Sequence, residues 1–227
     1  MIALAVALLA AVHLNVFAAS SLTEALPRID KTARYQFAGS DQLAFQIGQG
    51  ARADVFLAAS PKYPDDLYAR GLCSKPLVFA TNTVVLIVPR GNPARIHSVE
   101  DLKRDGIRLV IGAKGVPIGD YTRKLLANLG LTSVLANVVS EETDVKLVVA
   151  KVALGEADAG FVYRTDVKPV GNKVLRIALP AAAQPTVEYE LCVPTATRHA
   201  REARTFVQRV RSKAGRAQLR AAGFGLP

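Results

Sequence analysis

Short apolar runs alternate with amphipathic ones through most of this chain, and no other feature restricts its fold so much. The apolar runs are 13–19 (HLNVFAA), 35–39 (YQFAG), 53–59 (ADVFLAA), 83–89 (TVVLIVP), 107–113 (IRLVIGA), 135–140 (LANVVS), 159–163 (AGFVY) and 187–194 (VEYELCVP). Each has the length of a strand, and helical patterns fill the gaps after Ser21, Asp41, Pro61, Ser98, Gly119, Asp144 and Arg198. Strands that alternate with helices build α/β architecture with largely parallel sheets. A chain of 227 residues, half of them hydrophobic, can bury a sizeable core of this kind.

The pattern restarts once. After TVVLIVPRGNP a second alternation begins at SVEDLKRDGIRLVIGA. It ends near LPAAAQPTVEYELCVP, whose prolines mark a loop before the last strand. The expected fold class is α/β with two lobes, each a mostly parallel sheet flanked by helices, joined by two crossover segments. Lobe one is expected to take 11–88 and 190–227, and lobe two 89–189. A cleft between two lobes is a natural ligand site.

Several function classes are disfavoured by the residues. The formal net charge is +10, but the basic residues are scattered and no aromatic-rich basic segment accompanies them. Their densest cluster, 198–220, carries Ala203, Phe206, Val207 and Val210 at the spacing of one buried helical stripe. Its basic side is read as a solvated face, and no nucleic-acid partner is expected. The sequence has no G-x-S-x-G elbow, C-x-x-C pair, P-loop or G-x-G-x-x-G turn. His13, His97 and His199 stand apart with no adjacent nucleophile or paired carboxylate, so no enzyme is expected.

The opening MIALAVALLAAV is similar to the apolar core of a secretory signal, without a basic leader, and is too short to span a bilayer. Residues 1–10 are read as the remnant of a signal peptide of an exported, periplasmic or extracytoplasmic protein. Cys73 and Cys192 lie far apart with no ligand-spaced partner, which disfavours a metal site. Two separate buried thiols are one reading of them. Export favours the other, a bridge between segments near the crossover.

Four strand-to-helix junctions share one chemistry. VFAASSLTEAL runs from a strand into Ser20 and Ser21, and Ser21 with Glu24 reads as a capping box. FAGSDQLAFQI places Gly39 and Ser40 at a helix start, KGVPIGDYTRKLL places Pro117, Ile118 and Gly119 at another, and SEETDVKLVVAKV offers Thr143 and Asp144 as caps before Val145. Each is ordinary alone. Two in each lobe, beyond the carboxyl ends of strands, suit an anion held by amides, hydroxyls and helix dipoles.

These segments resemble those of the periplasmic molybdate-binding proteins of ABC importers. The matches are VFAASSLTEAL, FAGSDQLAFQIGQGARADVFLAAS, NTVVLIVP, GVPIGDYTRKLLANLG, ETDVKLVVAKVALGEADAGFVYRTD and VEYELCVP, in family order and over most of the chain. The resemblance implies a two-lobed periplasmic-binding-protein fold that closes on molybdate or tungstate and docks on a membrane permease, as a monomer and with no cofactor. Position by position it implies hydroxyl ligands from Ser21, Ser40 and Tyr163 and backbone amides at Ile118 and Val145, supported by Ser20, Gly39 and Gly119. Molybdenum enters only within the oxyanion, without direct protein ligands. Asp41 and Asp120 are expected to turn away from the ligand. Another oxyanion, such as sulfate or phosphate, is the competing cargo.

Two departures from the family bear on the wall of the site. The segment 22–35 is short and carries Pro27 inside the expected first helix, where a proline loses a hydrogen bond. Ile118 is bulkier than the alanine usual at its place, which tightens the pocket.

Overall fold

The computed structural model describes residues 13–227, so the segment read as a signal remnant lies outside the described residues. Ten strands run in chain order: β1 Asn15–Ala19, β2 Arg34–Ala38, β3 Val55–Ala58, β4 Leu77–Asn82, β5 Val84–Pro89, β6 Leu109–Gly112, β7 Val138–Glu142, β8 Ala159–Tyr163, β9 Val174–Ile177 and β10 Val187–Cys192. The α-helices are α1 Leu26–Ile29, α2 Ser40–Gly48, α3 Lys62–Ala69, α4 Pro117–Asn128, α5 Val145–Ala153, α6 Arg164–Val167, α7 Ala200–Arg211 and α8 Lys213–Ala222.

The strands form two five-stranded sheets of matching design, β2-β1-β3-β10-β4 and β7-β6-β8-β5-β9. In the first, β1 pairs parallel with β2 and β3, while β10 runs antiparallel to β3 and β4. In the second, β6 pairs parallel with β7 and β8, while β5 runs antiparallel to β8 and β9. Each sheet therefore has four strands in one direction and one reversed. The reversed strand is the one that has just crossed from the other lobe.

This topology moves both expected lobe boundaries. Residues 84–88 are expected in lobe one, yet β5 hydrogen-bonds into the second sheet, and the first crossing falls at Thr83. Val187 already pairs with Asn82 of β4, so the return to the first sheet precedes residue 190. The cause is β4, which sequence pattern did not reveal. It runs almost directly into β5, and what reads as one apolar stretch is a strand pair spanning two sheets.

The main core joins both lobes, with Val16, Val55, Leu57, Leu86, Ile87, Val110, Phe161 and Tyr189 among its fully or almost fully buried members. A smaller cluster on the other face of the first sheet gathers Phe17, Leu43, Phe56, Leu67 and the two cysteines. The stripe Ala203, Phe206, Val207 and Val210 of α7 is buried as its spacing requires. Burying an aliphatic or aromatic side chain contributes about 1.5–3 kcal/mol, so these faces hold the helices that carry the cleft. Cys73 and Cys192 are joined in a disulfide with Cα atoms 5.9 Å apart.

Pro27 sits at the start of α1, where its missing N–H costs nothing, because the segment after Ser21 is not one helix. A 3-10 turn, Ser20–Leu22, comes first, and α1 is a separate single turn. The expected strain on the cleft wall does not arise.

Candidate functional site

The carboxyl ends of strands from both sheets face one another, and a narrow cleft lies between them. Lobe one supplies Ser20, Ser21, Gly39, Ser40 and Ala59 to its wall, and lobe two supplies Pro117, Ile118, Asp144, Val145 and Tyr163. All five residues expected to face a ligand are thus brought together, along with Ser20 and Gly39. Gly119 is not on the wall. A Cβ there would lie 2.2 Å from the carbonyl oxygen of Ala113 and 2.3 Å from that of Gly112, so Gly119 lets α4 seat against the end of β6.

Each polar group in the wall is held by something behind it. Ser40 Oγ accepts the Ala59 amide at 3.0 Å, which leaves its own proton free for the cavity. Ser21 does not cap a helix as its sequence suggested. Its Oγ lies 2.9 Å from the hydroxyl of Tyr189 on β10, and no side-chain cap bond is made at that turn. Asp144 does cap α5, taking the amides of Lys146 at 2.7 Å and Leu147 at 3.3 Å on Oδ1. The amide left over in that first turn is Val145, and in α4 the corresponding early amide is Ile118. Both have no intrahelical acceptor by position, and both helix dipoles point positive ends at the cavity.

Tyr163 completes the arrangement. Its ring is fully buried, packed edge-on against Tyr121 and Tyr189 at 6.5 and 5.8 Å between centroids, and its hydroxyl has no partner among the described residues. Burial, with the neighbouring Tyr189 hydroxyl adding to it, raises its pKa well above the ordinary tyrosine value, so it stays a neutral donor. An unpartnered buried hydroxyl costs about 1–3 kcal/mol unless something fills the gap. Behind it, Asp166 accepts the Tyr163 amide at 3.3 Å and lies 3.2 Å from Lys146 Nζ. Burial holds that carboxyl up to about 6 against the lysine's opposing pull.

Among the described residues, no lysine or arginine lines the cavity. Its chemistry is that of neutral donors aimed at a compact acceptor-rich group. Asp120 turns away, as expected, accepting the Gly115 amide at 2.9 Å and pairing with Lys62 of lobe one at 3.6 Å. Asp41 is likewise absent from the wall; burial raises its pKa, with the Asp120 charge adding to the effect. Among the described residues no cluster of metal-ligating side chains is present.

The lobes touch across this cleft. Tyr63 of α3 donates to the Gly115 carbonyl of lobe two, and the Lys62–Asp120 pair spans the same edge. Gly39 comes so close to lobe two that a Cβ on it would lie 2.5 Å from the Thr143 carbonyl oxygen. Sequence reasoning took Gly39 for a helix-start glycine and overlooked Tyr189 and Asn82 behind Ser21, since their partners lie far away along the chain.

Ser40→Ala and Tyr163→Phe are each expected to weaken binding of a charged ligand by about 1–3 kcal/mol, because each removes one donor. Isothermal titration of both variants checks this, and unchanged affinity in both would remove these residues from the site.

The comparisons with known proteins agree with this architecture. A family profile described as bacterial extracellular solute-binding protein matches residues 14–225. Over 222 residues the chain is 39% identical to the molybdate-binding protein ModA of Mycobacterium bovis, covering 93% of this chain and 84% of that one. The ModA protein of Haemophilus influenzae is 32% identical, with 95% and 91% covered. Among solved structures, the periplasmic molybdate-binding protein of Azotobacter vinelandii superposes with a TM-score of 0.84 at 22% identity, over 95% of this chain and all of that one. The substrate-binding domain of a putative molybdenum ABC transporter from Clostridium difficile gives 0.70 at 28%, over 96% and 100%. With the family profile covering nearly every described residue, the chain belongs to the bacterial extracellular solute-binding proteins, the family it shares with these ModA relatives.

Proposed function

We propose that this protein captures molybdate, or its congener tungstate, between its lobes outside the cytoplasm and delivers it to the membrane permease of an ABC importer. It acts as a periplasmic or surface-exposed monomer, catalyses no reaction, needs no cofactor and has no nucleic-acid partner. The observation that carries this reading is the set of neutral donors, which includes the buried Tyr163 hydroxyl with no partner among the described residues, and a wall with no cationic side chain among them. A tetrahedral dianion presents only acceptors and matches that set. Hydrogen bonds to a charged group contribute about 1.5–3 kcal/mol each. Five of them, less the costs of ordering and closure, are consistent with micromolar to nanomolar affinity, about −8 to −12 kcal/mol.

The same donor set argues against phosphate. At neutral pH phosphate keeps at least one proton, which needs an acceptor in the closed pocket. Asp144, the one carboxylate among the described wall residues, holds the first turn of α5 through Oδ1, and exclusion of phosphate requires that its Oδ2 not reach the ligand. Phosphate is therefore expected to bind at least a hundredfold more weakly than molybdate, a difference of about 2.7 kcal/mol. Parallel calorimetric titrations with molybdate, tungstate, sulfate and phosphate test the assignment. Phosphate within tenfold of molybdate would mean that a carboxylate does reach the ligand. Sulfate binding tighter than molybdate would make sulfate the cargo.

A further inference from the structure

Behind Ser21 runs a chain of buried polar groups that the ligand set does not include. Asn82, the last residue of β4, accepts the Thr83 amide on Oδ1 at 2.9 Å. Its Nδ2 lies 2.9 Å from Thr165 Oγ1 of lobe two and 3.4 Å from the Tyr189 hydroxyl, and that hydroxyl is 2.9 Å from Ser21 Oγ. Asn82 is 6% exposed, Tyr189 0% and Ser21 3%, so water does not compete along the chain. The Tyr189 ring is fixed by edge contacts with Phe79, Tyr163 and Phe224 at 6.2, 5.8 and 5.3 Å between centroids.

The direction of these bonds follows from the one group that cannot reverse. A backbone N–H only donates, so the Asn82 oxygen must face Thr83 and its two N–H bonds must face Thr165 and Tyr189. Tyr189 oxygen then accepts, and its proton is left for Ser21. Burial raises the Tyr189 pKa well above the ordinary value, so that proton is always present. Ser21 Oγ accepts it and has its own proton left for the cavity.

We propose that Tyr189, oriented by Asn82 at the crossover, is a positioning residue that makes Ser21 an obligate donor to the bound anion. The inference rests on the anion-binding reading above and extends it. It also ties the two lobes together, since Asn82 belongs to β4 and Thr165 to α6 of lobe two. Tyr189 occupies one acceptor site of Ser21 Oγ, and the serine proton has no other acceptor among the described residues, so an acceptor-only anion is favoured at that corner over a proton-bearing one, and Tyr189 sets selectivity as well as affinity.

The test is Tyr189→Phe, which keeps the ring and removes only the hydroxyl, titrated with molybdate and with inorganic phosphate between pH 6 and 8. Without the incoming proton, both acceptor sites of Ser21 Oγ are open to a protonated anion. Molybdate affinity is expected to fall about tenfold while phosphate affinity does not fall, so the preference for molybdate narrows by the same factor. A purely structural role would weaken both anions equally, and that result overturns the proposal. In a Ser21→Ala background, Tyr189→Phe is expected to change molybdate affinity less than twofold, because the group it positions has gone. A full tenfold loss there likewise overturns it. Should Tyr189→Phe not fold, Asn82→Asp serves instead. It keeps the acceptor for Thr83 but cannot donate to Tyr189, and a molybdate-to-phosphate ratio unchanged from the parent protein counts against the relay. A parent protein that binds neither anion overturns the functional reading itself, whereas normal binding by the parent with an unaltered Tyr189→Phe overturns the relay alone.

Discussion

Gly39→Ala is expected to leave the protein folded and to weaken oxyanion binding by at least a hundredfold. The backbone at Gly39 has φ −59° and ψ 138°, which alanine adopts without strain. The fixed obstacle is across the cleft, where the added Cβ would meet the Thr143 carbonyl oxygen at 2.5 Å; its other close neighbour, Asp41 Oδ1 at 2.6 Å, is a side-chain end that can turn aside. The Thr143 oxygen is backbone and cannot swing aside, and it lies two residues before the Val145 amide. Lobe two would have to stand off, taking Val145 and Tyr163 away from a ligand seated on Ser40. Losing two charge-assisted hydrogen bonds costs about 3–6 kcal/mol, and about 1.4 kcal/mol is a factor of ten. Calorimetric titration reads the loss, and the melting temperature of the ligand-free variant is expected to stay close to that of the parent. Affinity within tenfold of the parent would show that the lobes need not meet at this point.

The second large effect concerns the disulfide. Replacing both Cys73 and Cys192 by serine is expected to lower unfolding free energy by about 2–4 kcal/mol and to leave molybdate affinity within about threefold. The bridge spans 119 residues of sequence, so without it the unfolded chain regains a long loop's freedom. Both sulfurs lie in the smaller core cluster with Phe56 and Leu67, behind the first sheet and away from the cleft. Urea unfolding monitored by circular dichroism gives the first quantity and calorimetry the second. A stability loss below 1 kcal/mol, or an affinity that falls in step with stability, would contradict this placement.

Much of the architecture was legible because its strands are buried runs. AGFVY of β8 is apolar and wholly buried, and its period needs no partner to be recognised. β9 was not legible, since VLRI is a four-residue edge strand whose Leu175 and Arg176 are exposed. β4 ends in Ala-Thr-Asn, which reads as a loop, and its strand character comes from pairing with β10 more than a hundred residues later. The site divides in the same way. Asp144 as a cap and Pro117 as a helix opener are local facts, readable from neighbours in sequence. The capping box that Ser21 and Glu24 suggest does not form, because the serine's partner, Tyr189, is 168 residues away. Gly39 looked like an ordinary helix-start glycine because its constraint comes from the opposite lobe. Spacing within a segment carries no information about such distant partners.

The strand order of the first sheet also governs when each lobe can be completed. In β2-β1-β3-β10-β4, the one strand beside β4 begins at Val187, and the isolated bridge that Thr81 of β4 makes with Gly225 comes later still. The second sheet draws all five of its strands from a continuous stretch, Val84 to Ile177. A chain emerging from a translocation channel amino end first therefore has everything needed to assemble its second lobe while β4 still has no partner. The apolar strands of the earlier lobe must wait, their edge open, until the chain has passed through the later one. The last strand to arrive closes that edge, and with Tyr189 it brings the group that sits behind Ser21.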